Sequence, residues 1–188
     1  LQFLVILCET FAAYCLTLWE SKPKAMKKIF LFVVVLASIS CQSQSKDFTK
    51  TTLDNKLVAT DGKQTAFSEI IAKHRGKTVV LEIWASWCSD CVKAMPKLKE
   101  LQKNNPNVDY VFVSMDKAED KWKAGIEKHE LKGDHYWATD GMKGKFGQSI
   151  DLDWIPRYII IDKTGKIVLY RAVETDFEKM EATLKSQK

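Results

Sequence analysis

The chain has 188 residues, enough for one domain with sequence to spare. Its 29 basic and 24 acidic residues leave a net charge of +5, scattered rather than clustered and without an interleaved aromatic stripe, so nucleic-acid binding is not indicated. Of the five cysteines, Cys8, Cys15 and Cys41 fall in or at the end of an N-terminal stretch that reads as addressing, so only Cys88 and Cys91 are expected as free thiols and no structural disulfide framework is expected.

The first part of the chain reads as addressing rather than fold. Residues 26–40, beginning MKKIF, carry two lysines, an apolar run of about eleven residues and small residues before Cys41, the pattern of an export signal. That run falls short of the ~20 apolar residues that span a bilayer. A small residue before a cysteine that opens the polar tract QSQSKD resembles the lipobox of bacterial lipoproteins, which implies lipidation at Cys41. A cleaved secretory signal and an uncleaved anchor remain alternatives. Residues 1–25 open with Leu1 and hold a second apolar stretch broken by Glu9. They read as an extension upstream of a start at Met26, the other reading being a first membrane segment. Residues 41–52 read as a polar tether, and 53–188 as the folded domain.

Within the domain, LVATDGKQTAF predicts two short strands joined at Asp61-Gly62, and SEIIAKHRGK a short helix with Ser68 as its N-cap. TVVLEIWA (78–85) is a continuous apolar and β-branched run, the mark of a strand buried on both faces. An amphipathic helix follows, with Val92, Met95, Leu98 and Leu101 on one face, Pro96 inside and Asn104-Asn105-Pro106 at its end. VDYVFVSMD (108–116) predicts a second buried strand, parallel to the first. AEDKWKAGIEKHEL predicts a helix, HYWATDG an extended piece and MKGKFGQSI a short helix. PRYIIID (156–162) and IVLYRA form a hairpin about the turn 163–166, and TDFEKMEATLKSQ closes the chain as a helix capped by Thr175. This order predicts an α/β domain: a mixed central sheet with helices on both faces.

Cys88 and Cys91 fall where the first buried strand gives way to its helix. A free thiol titrates near ~8.5, and the unpaired N–H groups and partial positive charge of a helix N-terminus favour its anion. Two intervening residues let the sulfurs close a disulfide and reopen it by exchange. Half a zinc site is the other use of such a pair, but His74, His129 and His135 are isolated and supply no further ligands at suitable spacing. Glu82 alternates with Leu81 and Ile83 in the strand; it either reaches solvent or a lysine such as Lys77 or Lys93, or is buried with its pKa raised. Asp90, two residues after Cys88, either opposes the thiolate or simply suits a first helical turn. Trp84 reads as core, and Trp87 as a partly exposed apolar platform, with Trp154 able to line the same surface.

EIWASWCSDC, a proline five residues after the second cysteine (Pro96) and WIPRYIIIDKTGKIV together resemble the thioredoxin superfamily, and within it the exported TlpA/ResA-like thiol-disulfide oxidoreductases, over roughly residues 52–186. The resemblance implies a thioredoxin-like fold, with Cys88 as the exposed attacking thiol and Cys91 as the buried resolving thiol. It further implies a cis-proline at Pro156, a backbone offered to substrate at Ile155, and a buried acid/base at Glu82. Between the cysteines stand Ser89-Asp90 where thioredoxin has Gly-Pro, and Ala94 replaces an acidic residue common in TlpA-like reductases. The function expected is reduction of protein disulfides in the bacterial cell envelope, periplasm-facing, with a DsbD-like membrane donor and no cofactor or metal. A disulfide isomerase or oxidase, a thiol peroxidase and a non-catalytic tethered binding domain are the alternatives.

Overall fold

The computed structural model describes residues 47–187; Cys41, the export signal and the upstream stretch lie outside the described residues. In chain order the elements are α1 (Lys50–Leu53), β1 (Lys56–Ala59), β2 (Gln64–Ala66), α2 (Phe67–Lys73), β3 (Val79–Trp84), α3 (Ser89–Asn104) and β4 (Asp109–Ser114). Then come α4 (Glu119–His129), β5 (Asp134–Trp137), α5 (Lys145–Ser149), β6 (Arg157–Ile161), β7 (Ile167–Ala172) and α6 (Phe177–Ser186). Seven strands make one sheet in the order β2-β1-β5-β4-β3-β6-β7. β3 pairs with β4 and β4 with β5 in parallel, and the remaining pairings are antiparallel. This is the expected mixed sheet.

The continuous apolar runs take the centre. All six residues of β3 and all five of β6 are buried, as are five of the six in β4. A strand covered on both faces has no polar side to alternate with. α3 runs unbroken through Pro96 and turns Cys91, Ala94, Met95, Leu98 and Leu101 inward. Its end is tied to α6, where Asn105 Nδ2 donates to Glu181 at 2.9 Å. α6 in turn sets Phe177 edge-on to Tyr158 of β6, with ring centroids 5.4 Å apart. α3 and α6 therefore cover the sheet face that carries Tyr158.

Three local expectations are corrected. The polar segment before the domain does not remain a tether to residue 52: Thr49 caps α1 by accepting from the Thr52 amide, and the buried Thr52 hydroxyl donates to Ser149. Phe48 stacks edge-on against Phe67, 5.0 Å between centroids. α2 begins before Ser68, after Ala66, with no side-chain cap; the fully buried Phe67 ring, wedged between Phe48 and Phe146, anchors its first turn instead. α6 follows Asp176 rather than Thr175, because the Asp176 carboxylate accepts the Val173 amide and shapes the preceding turn.

One close approach aligns α4 with the end of β3. A Cβ on Gly125 would lie 2.8 Å from Ser86 Cβ and 3.0 Å from the Trp84 ring. Ser86 cannot retreat, since Asp116 holds both its amide and its hydroxyl. In Gly125→Ala, better helix propensity contributes about 1 kcal/mol and overpacking costs about 1–3 kcal/mol. The expected result is a net loss of about 1 kcal/mol, read as a lower urea midpoint with unchanged slope. A midpoint at or above wild type would show that α4 shifts freely.

Candidate active site

The site is built where β3 ends. From Ala85 the chain makes a single turn, and Cys88, with φ −80° and ψ 107°, becomes the N-cap of α3. Its sulfur accepts the Cys91 amide at 3.1 Å, the role a serine hydroxyl plays at other helix starts. Cys88 and Cys91 are joined by a disulfide with their Cα atoms 5.3 Å apart. Cys88, at 6% exposure, and Cys91, at none, are both buried in this disulfide form, but only Cys88 reaches the surface at all.

The second wall comes from the loop before β6. The Ile155-Pro156 peptide is cis, and the Ile155 carbonyl oxygen lies 3.5 Å from Cys88 Sγ. Pro156 and Ile155 are both buried. Trp87 and Trp154, each one residue before these contacts, are 57% and 52% exposed, the two large aromatic side chains left open on the described surface. Isolated exposed apolar groups need no explanation, but these two are the chain neighbours of Cys88 and Ile155, which meet at the sulfur.

Ser89 is exposed in the first turn of α3, and Asp90 beside it is half-buried, 3.4 Å from Lys93 Nζ. Lys93 is thus engaged with Asp90 and not with Glu82. Glu82 sits mid-strand opposite Phe112 on one side and Tyr158 on the other, 2% exposed. Its Oε1 accepts the Tyr158 hydroxyl at 3.4 Å, and its Oε2 has no partner. Burial in apolar surroundings pushes its carboxyl up to about 8, only partly offset by the Tyr158 hydrogen bond. The solvent and lysine alternatives for Glu82 are thereby set aside. Cys41 lies outside the described residues.

Sequence reasoning missed three supports. Asp116, fully buried just beyond β4, accepts Ser86 N at 3.0 Å, Ser86 Oγ at 2.7 Å and Ser114 Oγ at 2.8 Å. It ties down the turn two residues ahead of Cys88. An acid ending an otherwise apolar strand was the available signal. Arg157, buried directly after Pro156, donates to the Arg171 carbonyl at 3.1 Å and pairs with Asp153, which also binds Arg171 at 2.6 Å. That pair braces both ends of the Asp153–Arg157 loop. Tyr158 is the third. His74, by contrast, is taken up at the far end of the sheet, where it lies 2.8 Å from Asp109 and 3.1 Å from Asp134. Among the described residues no group of three or more His, Cys, Asp or Glu is set to hold a metal.

Glu82 generates a stability signature. The folded carboxyl titrates near 8 and the free group near 4.5, so between those values the native state keeps a proton that the unfolded state releases. Stability is then full below the lower value, falls as pH rises through the window and levels off above the upper one. The loss is on the order of a few kcal/mol. Urea unfolding of the oxidised protein from pH 5 to 9 should show this slope, and Glu82→Gln should flatten it. Equal slopes in the two proteins would place the Glu82 proton elsewhere.

Residues 76–167 match a family model described as Thioredoxin-like. The thiol-disulfide oxidoreductase ResA of Bacillus thuringiensis strain Al Hakam is 30% identical over 130 residues, which cover 66% of this chain and 69% of that protein. ResA of B. thuringiensis subsp. konkukian is 26% identical over 113 residues, 59% of this chain; the chain spans 64% of that relative's length. The thioredoxin domain of a thiol-disulfide oxidoreductase from Bacteroides vulgatus superposes with a TM-score of 0.61 at 19% identity, covering 78% of this chain and all of that one. A secreted Mycobacterium tuberculosis disulfide oxidoreductase, described as homologous to E. coli DsbE, gives 0.57 at 17% identity, covering 73% and 99%. At these identities the two structures share the fold.

Proposed function

Because the chain belongs to the thioredoxin superfamily, among its ResA-like thiol-disulfide oxidoreductases, we propose that it reduces protein disulfides by dithiol exchange through Cys88 and Cys91. The observation that carries this reading is the asymmetric cysteine pair at the start of α3, Cys91 fully buried and Cys88 at the surface edge with its sulfur facing the Ile155 carbonyl. Fold alone would not carry it.

In the reduced protein the Cys91 amide and the N-terminal dipole of α3 stabilise a Cys88 thiolate. That thiolate attacks one sulfur of a substrate disulfide, forms a Cys88–substrate bond and expels the other substrate sulfur as a thiolate. The backbone of Ile155 and the Pro156 ring align the substrate strand, and Trp87 contributes apolar contact. Glu82 takes the proton from Cys91, whose thiolate then attacks Cys88 Sγ. The second substrate sulfur leaves as a thiolate, and the domain is left with the Cys88–Cys91 disulfide. Two electrons pass from the domain to the substrate, and both released thiolates are protonated.

The oxidised pair must be re-reduced by a dithiol donor, for which a DsbD-like membrane protein is the fitting class. The export signal over 26–40 and the lipobox-like Cys41 support work outside the cytoplasm, on a lipid tether in the cell envelope. Ser89 and Asp90 tune the couple, with Asp90 trimming the stabilisation of the Cys88 thiolate and so favouring a reductant. Pairing of Cys88 with a second cysteine three residues away favours dithiol exchange over single-cysteine peroxide chemistry.

The test is insulin reduction with dithiothreitol as donor. The wild-type domain should accelerate precipitation of the insulin B chain. Cys91→Ser should lose that turnover and accumulate a Cys88 mixed disulfide visible on a non-reducing gel. Full turnover by Cys91→Ser would overturn the mechanism.

A further inference from the structure

The buried carboxyl of Glu82 has one hydrogen-bond partner among the described residues, the Tyr158 hydroxyl. Tyr158 lies directly opposite Glu82 in the β3–β6 ladder, so both side chains rise from the same face of the sheet. The phenol is fully buried and its hydroxyl donates to Glu82 Oε1 at 3.4 Å. The ring is braced by Phe177. Tyr158 also stands two residues after Pro156, so the segment that meets Cys88 supplies the donor to Glu82 as well.

We propose that Tyr158 is a positioning residue for the resolving step, its hydroxyl holding the Glu82 carboxyl in the orientation from which Glu82 takes the proton of Cys91. The inference rests on the dithiol reading above. A carboxyl with one oxygen fixed by a donor leaves the other free for proton exchange, and Glu82 Oε2 is buried without a partner. The groups around the pair are few. β4 opposes Glu82 with the apolar Phe112, and α6 offers Phe177 to the phenol. Cys91 of α3 is buried in the same core cluster as Tyr158. Glu181 of α6 is engaged with Asn105. Glu174, in the turn between β7 and α6, reaches the phenol electrostatically, and its own Oε2 is buried without a partner. Burial first, then the charges of Glu82 and Glu174, drive the Tyr158 titration well upward. The phenol therefore stays protonated, and it remains a donor at any pH the domain meets.

Tyr158→Phe removes the hydroxyl and keeps the ring. The reaction of reduced protein with Ellman's reagent separates the two sulfurs. Attack by Cys88 releases one thionitrobenzoate, and attack by Cys91 on the resulting mixed disulfide releases a second. Stopped-flow absorbance from pH 5 to 10 follows both phases. The first phase should keep its wild-type pH midpoint in Tyr158→Phe. The second should shift its midpoint upward by about half a pH unit to one, because a lost hydrogen bond to the carboxylate favours the protonated acid. A general loosening of the core would slow reaction without moving one midpoint alone. Glu82→Gln is the control. If it abolishes the second-phase midpoint while Tyr158→Phe leaves that midpoint in place, Tyr158 has no positioning role and the dithiol reading stands. If wild type releases no second thionitrobenzoate, or Glu82→Gln leaves the midpoint unchanged, the role of Glu82 fails and the proposal for Tyr158 with it.

Discussion

The rest of the domain is arranged around one constraint: the sulfur of Cys88 must end a helix and face a carbonyl at the same time. As N-cap it accepts the Cys91 amide, which fixes the sulfur relative to the axis of α3. Facing Ile155 it meets the backbone of a loop 67 residues away in sequence. Two rigid elements have to agree on one atom to within hydrogen-bond distance. The buried core of β3, β6 and α3 supplies that agreement, because close-packed interiors yield little to small displacements. Asp116 and the Asp153–Arg157–Arg171 cluster then fix the two loops that the core leaves free.

Glu82 works against stability within the same layer. A carboxyl in a strand whose other five residues are apolar or aromatic cannot ionise cheaply, and an apolar side chain of similar size would pack there at less cost. Its retention in the middle of β3 makes sense if a proton must be exchanged where water does not reach. The single long hydrogen bond from Tyr158 suits that purpose. A stronger set of donors would hold the carboxylate ionised and remove it from acid–base work near neutral pH.

Much of this was legible in the chain because the central strands carry their own signal. The runs VVLEIW and RYIII announce burial on both faces, and the Cys-x-x-Cys spacing after the first marks the functional end of the sheet. Trp84 and Trp87 fall on opposite sides of the surface as the turn between them requires. What could not be read was tertiary. Asp116 looks like any acid after a strand until Ser86 is brought beside it. Arg157 looks like a solvated cation until Asp153 folds back on it. Tyr158 became visible only with the register, since no local pattern says which residue of β6 will lie across from Glu82. α1 escaped because its capping threonines resemble a polar linker, and the carbonyl that takes the Thr52 hydroxyl, Ser149, comes far later in the chain.

The reductant direction proposed above rests on the balance of two fields on one sulfur. A helix N-terminus stabilises an anion by about 0.3–1 kcal/mol when exposed and up to ~2 kcal/mol when partly buried. Cys88 occupies that position as the N-cap of α3. Asp90 opposes it from the first turn, but Lys93 lies beside the carboxylate and offsets part of its charge, and exposed pairs of this kind are worth ~1 kcal/mol or less. On the proposed reading the carboxylate trims the thiolate without erasing it. An intermediate thiolate serves a reductant on two counts: it is populated enough to attack, and not so stable that the dithiol becomes the favoured end state of exchange. In a fully stabilised thiolate the second condition fails and the couple turns oxidising. By this reasoning Asp90 matters more to the proposed direction than the helix itself, which every protein with this strand-to-helix turn supplies.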